Sequence, residues 1–147
     1  MFKEVADIKT ADMLNLPVPN AHYQNVAVEP SDIQKELVES LGERAQKIRD
    51  GAVDPHEDNM LKITNDGRKL ALDQRLINEL LPENKNSKVN ACIKNILKIY
   101  HETLEEKSTQ LVFCDMSTPR NDAFNVYDEI RNKLLEEGIP ESEIAYI

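Results

Sequence analysis

Glycine is scarce in this sequence of 147 residues, and the scarcity limits how the chain could bind a nucleotide. The four glycines form neither a G-x-x-x-x-G-K-[S/T] loop nor a G-x-G-x-x-G turn, the two common glycine-rich phosphate cradles. The three histidines have no cysteine or carboxylate at the spacing of zinc ligands, so a zinc site is not expected. No serine lies in a nucleophile elbow, and no complete active site is visible.

Long hydrophobic runs are also absent. No apolar stretch approaches the roughly 20 residues that cross a bilayer, and the N-terminus lacks the apolar core of a signal peptide. The two cysteines, Cys92 and Cys114, lie in apolar segments, where reduced core thiols are favoured over a disulfide. We therefore expect a cytoplasmic protein without a membrane partner.

The net charge of −9 argues against strong nucleic-acid binding by the chain alone, because Lys and Arg supply the affinity for phosphate. The charges are unevenly distributed, however. Residues 59–101 carry eight basic and four acidic side chains and lie between two acidic segments. This basic belt is either a solvated helix face, which charge alone favours, or a surface turned toward a polyanion or an acidic partner.

Helical periodicity and capping signals predict three main helices. The first opens at Ser31 with a capping box and ends at Gly51. The second begins at Lys88, and the third begins at Asp122 and ends at Gly138.

Three short apolar runs near 25–29, 110–116 and 143–147 predict strands. A helix between the last two would make a right-handed crossover, which joins parallel strands. The predicted fold class is therefore α/β, with a small, mainly parallel sheet flanked by helices. The predicted organisation is one domain over residues 1–147, with a lead-in segment at 1–24 and a helical insertion at 52–86.

A polar loop follows the predicted central strand. Ser117, Thr118, Arg120 and Asn121 come just past its carboxyl end, where open α/β sheets bind ligands and helix N-termini offer N–H groups to anions. These side chains are candidate phosphate contacts. The alternative is that the hydroxyls cap the helix that follows.

Four stretches occur in a suggestive order: residues 7–19 (DIKTADMLNLPVP), residues 25–34 (NVAVEPSDIQ), Ser87-Lys88 before a long helix, and residues 111–115 (LVFCD). In this order they resemble the second RecA-like motor lobe of Swi/Snf-type superfamily-two DNA helicases. The likeness is greatest to the helicase-like proteins fused to DNA methylases in bacterial mobile elements. In that family the last stretch is similar to helicase motif IV.

The resemblance implies a partial RecA-like lobe that belongs to a larger ATP-dependent DNA helicase or translocase. The Walker motifs would lie before Met1, and the motifs with the ATP-contacting arginine would lie beyond Ile147. The fragment is therefore expected to hold no cofactor and to be inactive alone, whereas the parent protein would use ATP and Mg²⁺. The implied partners are DNA, bound through the parent, and the first RecA-like lobe of the same parent.

The resemblance also implies roles for individual side chains. The motif IV strand and the loop after it would contact the DNA backbone, which supports Ser117, Thr118, Arg120 and Asn121 as phosphate contacts. Lys88, Arg68 and Lys69 are lesser candidates within the basic belt.

Two other functions remain open at this point. The first is a small acidic protein-interaction module that uses the acidic flanks and the basic belt and has no nucleic-acid activity. The second is a free-standing nucleotide or phosphoester enzyme that uses the Ser117 loop. It is the least favoured, because no base, metal site or glycine-rich loop accompanies that serine.

Overall fold

The computed structural model describes residues 9–14, 17, 20–119 and 123–146, and within these ranges the regular structure is all helical. Helix α1 is a single turn, and the four longer helices follow it along the chain: α1 (Ala11–Leu14), α2 (Asp32–Arg49), α3 (Met60–Leu72), α4 (Lys88–Glu102) and α5 (Val126–Glu136). Short 3₁₀ turns occur at Gln74–Leu76 and Glu141–Glu143. No helix in these ranges is long and apolar enough to cross a membrane.

The helix boundaries follow the capping signals. Ser31 Oγ accepts the N–H of Gln34 at 3.1 Å, and Gln34 Oε1 accepts the N–H of Ser31 at 2.9 Å, which completes the predicted capping box. Ser87 Oγ caps α4 by accepting the N–H of Asn90 at 3.1 Å. Gly51 (φ +69°) and Gly138 (φ +90°) follow the ends of α2 and α5 in the left-handed conformation that favours glycine. These predicted starts and stops are confirmed.

Helix α3 lies within the predicted helical insertion and runs without a break through Gly67, despite the turn-like sequence around that residue. A Cβ atom at Gly67 would lie 3.7 Å from Leu41 Cδ1, so α2 packs closely against this face of α3. Arg44 of α2 reinforces the pair. Its guanidinium donates to both carboxylate oxygens of Asp58, at 2.7 and 2.9 Å, and to Asp66 at 2.8 Å.

The apolar core lies between α4 and α5. Its buried members come from α4, α5 and the turn that follows α5: Val89, Ile93, Val126, Leu134 and Ile139. Leu72 and Leu76, at the end of α3 and in the first 3₁₀ turn, pack against this cluster. The α2–α3 pair therefore meets the α4–α5 pair where α3 ends.

Gln74 is the buried polar residue at that junction, with 2% of its surface exposed. Its Oε1 accepts the hydroxyl of Ser31 at 2.7 Å, and its Nε2 donates to the carbonyl of Pro82 at 2.7 Å. Gln34 extends the network by donating to the carbonyl of Leu70 at 2.8 Å. One amide side chain thus connects the start of α2, the end of α3 and the loop that leads to α4.

Asp73 and Arg75 flank Gln74 and form a buried ion pair with a distance of 2.9 Å. Arg75 also contacts Glu129 of α5 at 3.0 Å, and its guanidinium lies 4.2 Å from the centre of the Phe124 ring. Burial alone would lower the pKa of Arg75, but the hydrogen bonds that it donates to Asp73 and Glu129 outweigh burial and raise the pKa. We call Asp73, Gln74 and Arg75 with these partners the polar hub.

The predicted α/β fold is wrong: the described residues contain no strand and no sheet. The runs near 25–29, 110–116 and 143–147 have no paired backbone in the parts of them that the structure describes. A strand needs a neighbouring strand to satisfy its N–H and C=O groups, and here α2–α5 build the core without one. The strands were predicted from apolar composition, and the described structure gives these segments no pairing partner.

The segment at 110–114 shows what replaces the central strand. The Gln110 side chain donates to the carbonyl of Ile96 at 3.0 Å, Cys114 packs against the core, and Tyr127 donates its hydroxyl to the Cys114 carbonyl at 2.7 Å. Between these anchors the side chains at 111–113 are exposed, with Phe113 at 89%. The apolar run is thus fixed at both ends and solvated in the middle.

Helix α5 begins at Val126, four residues after the predicted start at Asp122, which itself lies outside the described residues. Asn125 is the N-cap and accepts the N–H of Asp128 at 2.8 Å. The capping side chain, and not the first acidic residue, fixes where this helix begins.

Replacing Gln74 by Ala should lower the free energy of unfolding by about 2–4 kcal/mol, because a buried amide and its hydrogen bonds to Ser31 and to the Pro82 carbonyl are lost. Gln46→Ala is the matched control, since Gln46 is exposed and bonds only within its own helix to Asp50. That change should stay within about 0.5 kcal/mol. Urea unfolding of both variants measures the difference, and equal losses would contradict the role of the polar hub.

Phe113→Ser should leave the melting temperature unchanged and reduce both dye binding to exposed apolar surface and aggregation, because Phe113 is solvated. Phe124→Ser should destabilise the fold by about 2 kcal/mol, because Phe124 packs against the core and under Arg75. Thermal unfolding with light scattering tests both variants. A lower melting temperature for Phe113→Ser would mean that the segment is buried in solution.

Candidate anion-binding cleft

The predicted phosphate loop is only partly described, and its serine already has a structural role. Ser117 has φ +65°, and its Oγ accepts the N–H of Val126 at 2.9 Å, at the start of α5. This is the capping alternative that the sequence left open. Thr118 is exposed, and Arg120 and Asn121 lie outside the described residues. A phosphate contact by these four side chains stays a prediction.

Part of the basic belt is neutralised by other groups in the fold. Arg68 pairs with Asp115 at 2.6 Å, and Lys98 pairs with Glu102 at 3.8 Å. Lys62 donates to the carbonyls of residues 56 and 57, at 2.9 and 2.8 Å. Arg75 is buried in the polar hub. These four cations are therefore occupied within the protein.

Four lysines of the belt are left without a counter-charge: Lys69, Lys85, Lys88 and Lys94. Within the described ranges, no carboxylate lies within 4.0 Å of their ammonium groups. Lys69 lies in the last turn of α3 and is half-buried, whereas the other three are exposed. In a chain of net charge −9, such a group of unpaired cations is the feature most able to attract an anion.

Lys85, Lys88 and Lys94 line two adjoining cavities beside the start of α4. One cavity, of about 300 Å³, has Lys85 and Lys94 in its wall. The other, of about 220 Å³, has Lys88 in its wall and reaches across to Leu70 of α3. Val28, Glu29 and Ser87 line both cavities. We call the two together the lysine cleft.

The loop from 82 to 87 positions one side of the cleft. Asn84 accepts the N–H of Ser87 at 2.9 Å through its backbone carbonyl, and its side chain accepts the N–H of Asn86 at 2.9 Å. Asn90 of α4 donates to the same Asn84 carbonyl at 3.0 Å. Lys85 therefore lies in a loop whose backbone is hydrogen-bonded to α4.

Glu83 ties the same loop to α5. Its carboxylate pairs with Lys133 and accepts a hydrogen bond from Asn90 at 2.7 Å. Lys133 also bonds Asn90 at 2.7 Å and Glu129 at 2.9 Å. The hydrogen bond from Lys133, aided by Asn90, lowers the pKa of Glu83 below its usual range against the opposing effect of burial.

The cleft carries three ammonium groups and one carboxylate, Glu29, among its lining residues. Lys88 and Lys94 are the first and seventh residues of α4, about 9 Å apart along the helix axis. Phosphates of one DNA strand advance by roughly 3.4 Å each along a duplex, so this spacing spans two to three of them. The arrangement suits binding of an extended anion.

The family resemblance implies ATP and Mg²⁺ for the parent protein and not for this chain. Among the described residues, no three His, Cys, Asp or Glu side chains lie together as metal ligands would. The single carboxylate of the lysine cleft offers one oxygen donor group to a hard cation that needs several. No chemical step is therefore assigned to either group.

Sequence reasoning identified Lys88 but did not single out Lys85 and Lys94. Lys85 lies in a polar loop, and Lys94 faces away from the apolar stripe of α4, so both look like ordinary solvated lysines. The only signal was the local excess of basic charge over 59–101. The pairing of Arg68 with Asp115, which decides which cations stay free, depends on tertiary structure.

No protein-family model matches the chain, and neither a curated protein nor a solved structure shows significant similarity to it.

Lys133→Met should raise the pKa of Glu83 toward its ordinary value, because it removes the hydrogen bond from Lys133, which is the main cause of the lowered pKa. A lowered folded-state pKa stabilises the fold above the ordinary pKa of Glu, and this stabilisation is lost as pH falls through the folded value. The acid limb of the stability curve should therefore flatten below about pH 4.5. Carbon NMR of the Glu83 carboxyl checks the shift.

Lys98→Met is the matched control, because Lys98 pairs with Glu102 on the exposed face of α4. It should leave the titration of Glu83 unchanged. An unchanged Glu83 pKa in Lys133→Met would show that this pair does not hold the loop in solution.

Proposed function

We propose that this chain works in the cytoplasm as part of the second motor lobe of a Swi/Snf-type DNA helicase or translocase. In this role it contributes contacts to the DNA backbone and holds no complete ATP site. The proposal concerns binding and does not include the α/β fold, which the described residues contradict. The parent protein would supply the ATP-dependent movement, together with the first lobe.

One observation carries the proposal: the acidic chain keeps unpaired lysines grouped on one side of the basic belt. Surface lysines in an acidic protein ordinarily have carboxylates available nearby, and Lys35 and Lys98 do pair with such neighbours. Lys85, Lys88 and Lys94 do not pair with any described carboxylate. Unpaired ammonium groups release counterions when they meet phosphates, which is the main source of affinity for a DNA backbone.

The assignment to a DNA motor rests on the four sequence stretches that resemble the helicase lobe. Ser87 and Lys88, which resemble a helix opening of the family, are also the N-cap and first residue of α4. Lys88 lies in the wall of the lysine cleft. The place where the sequence resembles a DNA motor is thus next to the unpaired cations.

A second function is favoured by a separate observation, the exposed apolar side chains at 111–113. A solvated apolar run on an acidic surface suits the protein-interaction module that the sequence left open. Next to this run, Asp115 forms a salt bridge with Arg68 at 2.6 Å. This alternative predicts that the chain has no affinity for DNA.

The chain should bind a fluorescent oligo-dT at 50 mM salt, with an affinity that falls as salt rises, because phosphate contacts release counterions. Peptide nucleic acid of the same base sequence is the matched control, since it lacks phosphates and should not bind. Fluorescence anisotropy measures both. Absence of binding to oligo-dT up to about 100 µM protein, the weak end of non-specific DNA affinity, would overturn the proposal and favour the interaction module.

A further inference from the structure

We propose that the lysine cleft is the surface that takes the DNA backbone, and that Glu29 is the residue that limits its affinity. This assignment rests on the proposed function and makes it specific. The main phosphate contact is then not the loop after residue 116. It is the surface between residues 27–30 and the start of α4. The ligand is a phosphodiester strand of DNA.

The first step concerns which cations are available. Of the eight basic side chains in the belt, half are occupied by carboxylates or backbone carbonyls within the fold. Three of the remaining four line the two adjoining cavities, and their ammonium groups have no described carboxylate within 4.0 Å. The local charge of the cleft is therefore positive although the chain as a whole is negative.

The second step concerns shape. The two cavities share Val28, Glu29 and Ser87 in their walls, so they adjoin each other. Lys85 and Lys94 line one of them, and Lys88 lines the other. A strand that passes from one cavity to the other can place its phosphates near lysines of both. Ser87 is buried, with 3% of its surface exposed, and its hydroxyl accepts the N–H of Asn90 at 3.1 Å, so the exposed lysines provide the recognition.

The third step concerns Glu29. It is the one carboxylate that lines either cavity, and it lines both. Its side chain makes no salt bridge to Lys85, Lys88 or Lys94 among the described residues. A fixed negative charge in the shared wall repels each phosphate that enters either half. Glu29 therefore makes binding weak and reversible, which suits a surface that must release and regrip a strand during translocation.

The test compares two triple variants of equal net charge. Lys85→Gln, Lys88→Gln and Lys94→Gln together remove the cations of the cleft. Lys47→Gln, Arg49→Gln and Lys107→Gln together remove exposed, unpaired cations at the far ends of α2 and α4. Both are surface changes, and circular dichroism with thermal unfolding confirms that each variant is folded.

The cleft variant should lose affinity for oligo-dT, and its salt dependence should flatten. Three phosphate contacts give a slope of about −2 in log affinity against log salt, or about a 20-fold loss of affinity between 50 and 200 mM. The control variant should keep both the affinity and the slope of the wild-type chain within about a factor of two, since only long-range charge is lost.

Glu29→Gln supplies an independent test, because the cleft assignment predicts a gain of binding. Removal of one like charge at the cleft should tighten the complex about three-fold at low salt. Glu106→Gln, exposed beyond the end of α4, is its control and should change affinity less. A gain of affinity cannot result from misfolding.

The outcomes separate the two proposals. Wild-type binding that both triple variants weaken equally would overturn the lysine cleft and leave the proposed function standing. Wild-type binding with no gain in Glu29→Gln relative to Glu106→Gln would overturn the role of Glu29. A wild-type chain that binds neither oligo-dT nor duplex DNA would overturn the proposed function and the cleft together.

Discussion

Much of this structure depends on a single buried amide. Gln74 bonds to the first residue before α2 and to the loop that leads to α4, and its neighbour Arg75, held by Asp73, reaches α5. Polar groups at this depth are tolerated only when every hydrogen bond is made, and in the described residues no buried side-chain polar atom is left without a partner. The junction of the two helix pairs therefore combines polar geometry with the apolar packing of Leu72 and Leu76.

The lysine cleft is a consequence of that junction. Its walls come from residues 27–30, α2, α3, the 82–87 loop and the start of α4. The polar hub and Asn84 connect α2, α3 and this loop. The lysines contribute little to holding the fold, since their side chains are exposed and unpaired. Stability and the candidate function thus use different charges: Arg44, Arg75 and Lys133 bind carboxylates inside the protein, while the cleft keeps its own cations free.

Helix positions were accessible from the sequence because their signals are local. Ser31 with Gln34, and the glycines after α2 and α5, act within one helical turn, and the structure confirms them. The strands were not accessible. An apolar run such as 110–116 shows that a segment avoids water, but pairing depends on distant backbone, and the described chain offers none. The free lysines were equally hidden, because the pairing of Arg68 with Asp115 spans 47 residues.

The order of the helices has a consequence for how quickly the chain can fold. Elements that are adjacent in sequence are also adjacent in space, since α2 packs on α3 and α4 packs on α5. Chains dominated by such short-range contacts close small loops first and reach the native state in microseconds to milliseconds. Some contacts instead join residues far apart in the sequence, such as Arg75 with Glu129 and Lys133 with Glu83. Each helix pair can therefore form early, and such distant contacts form when the two pairs come together.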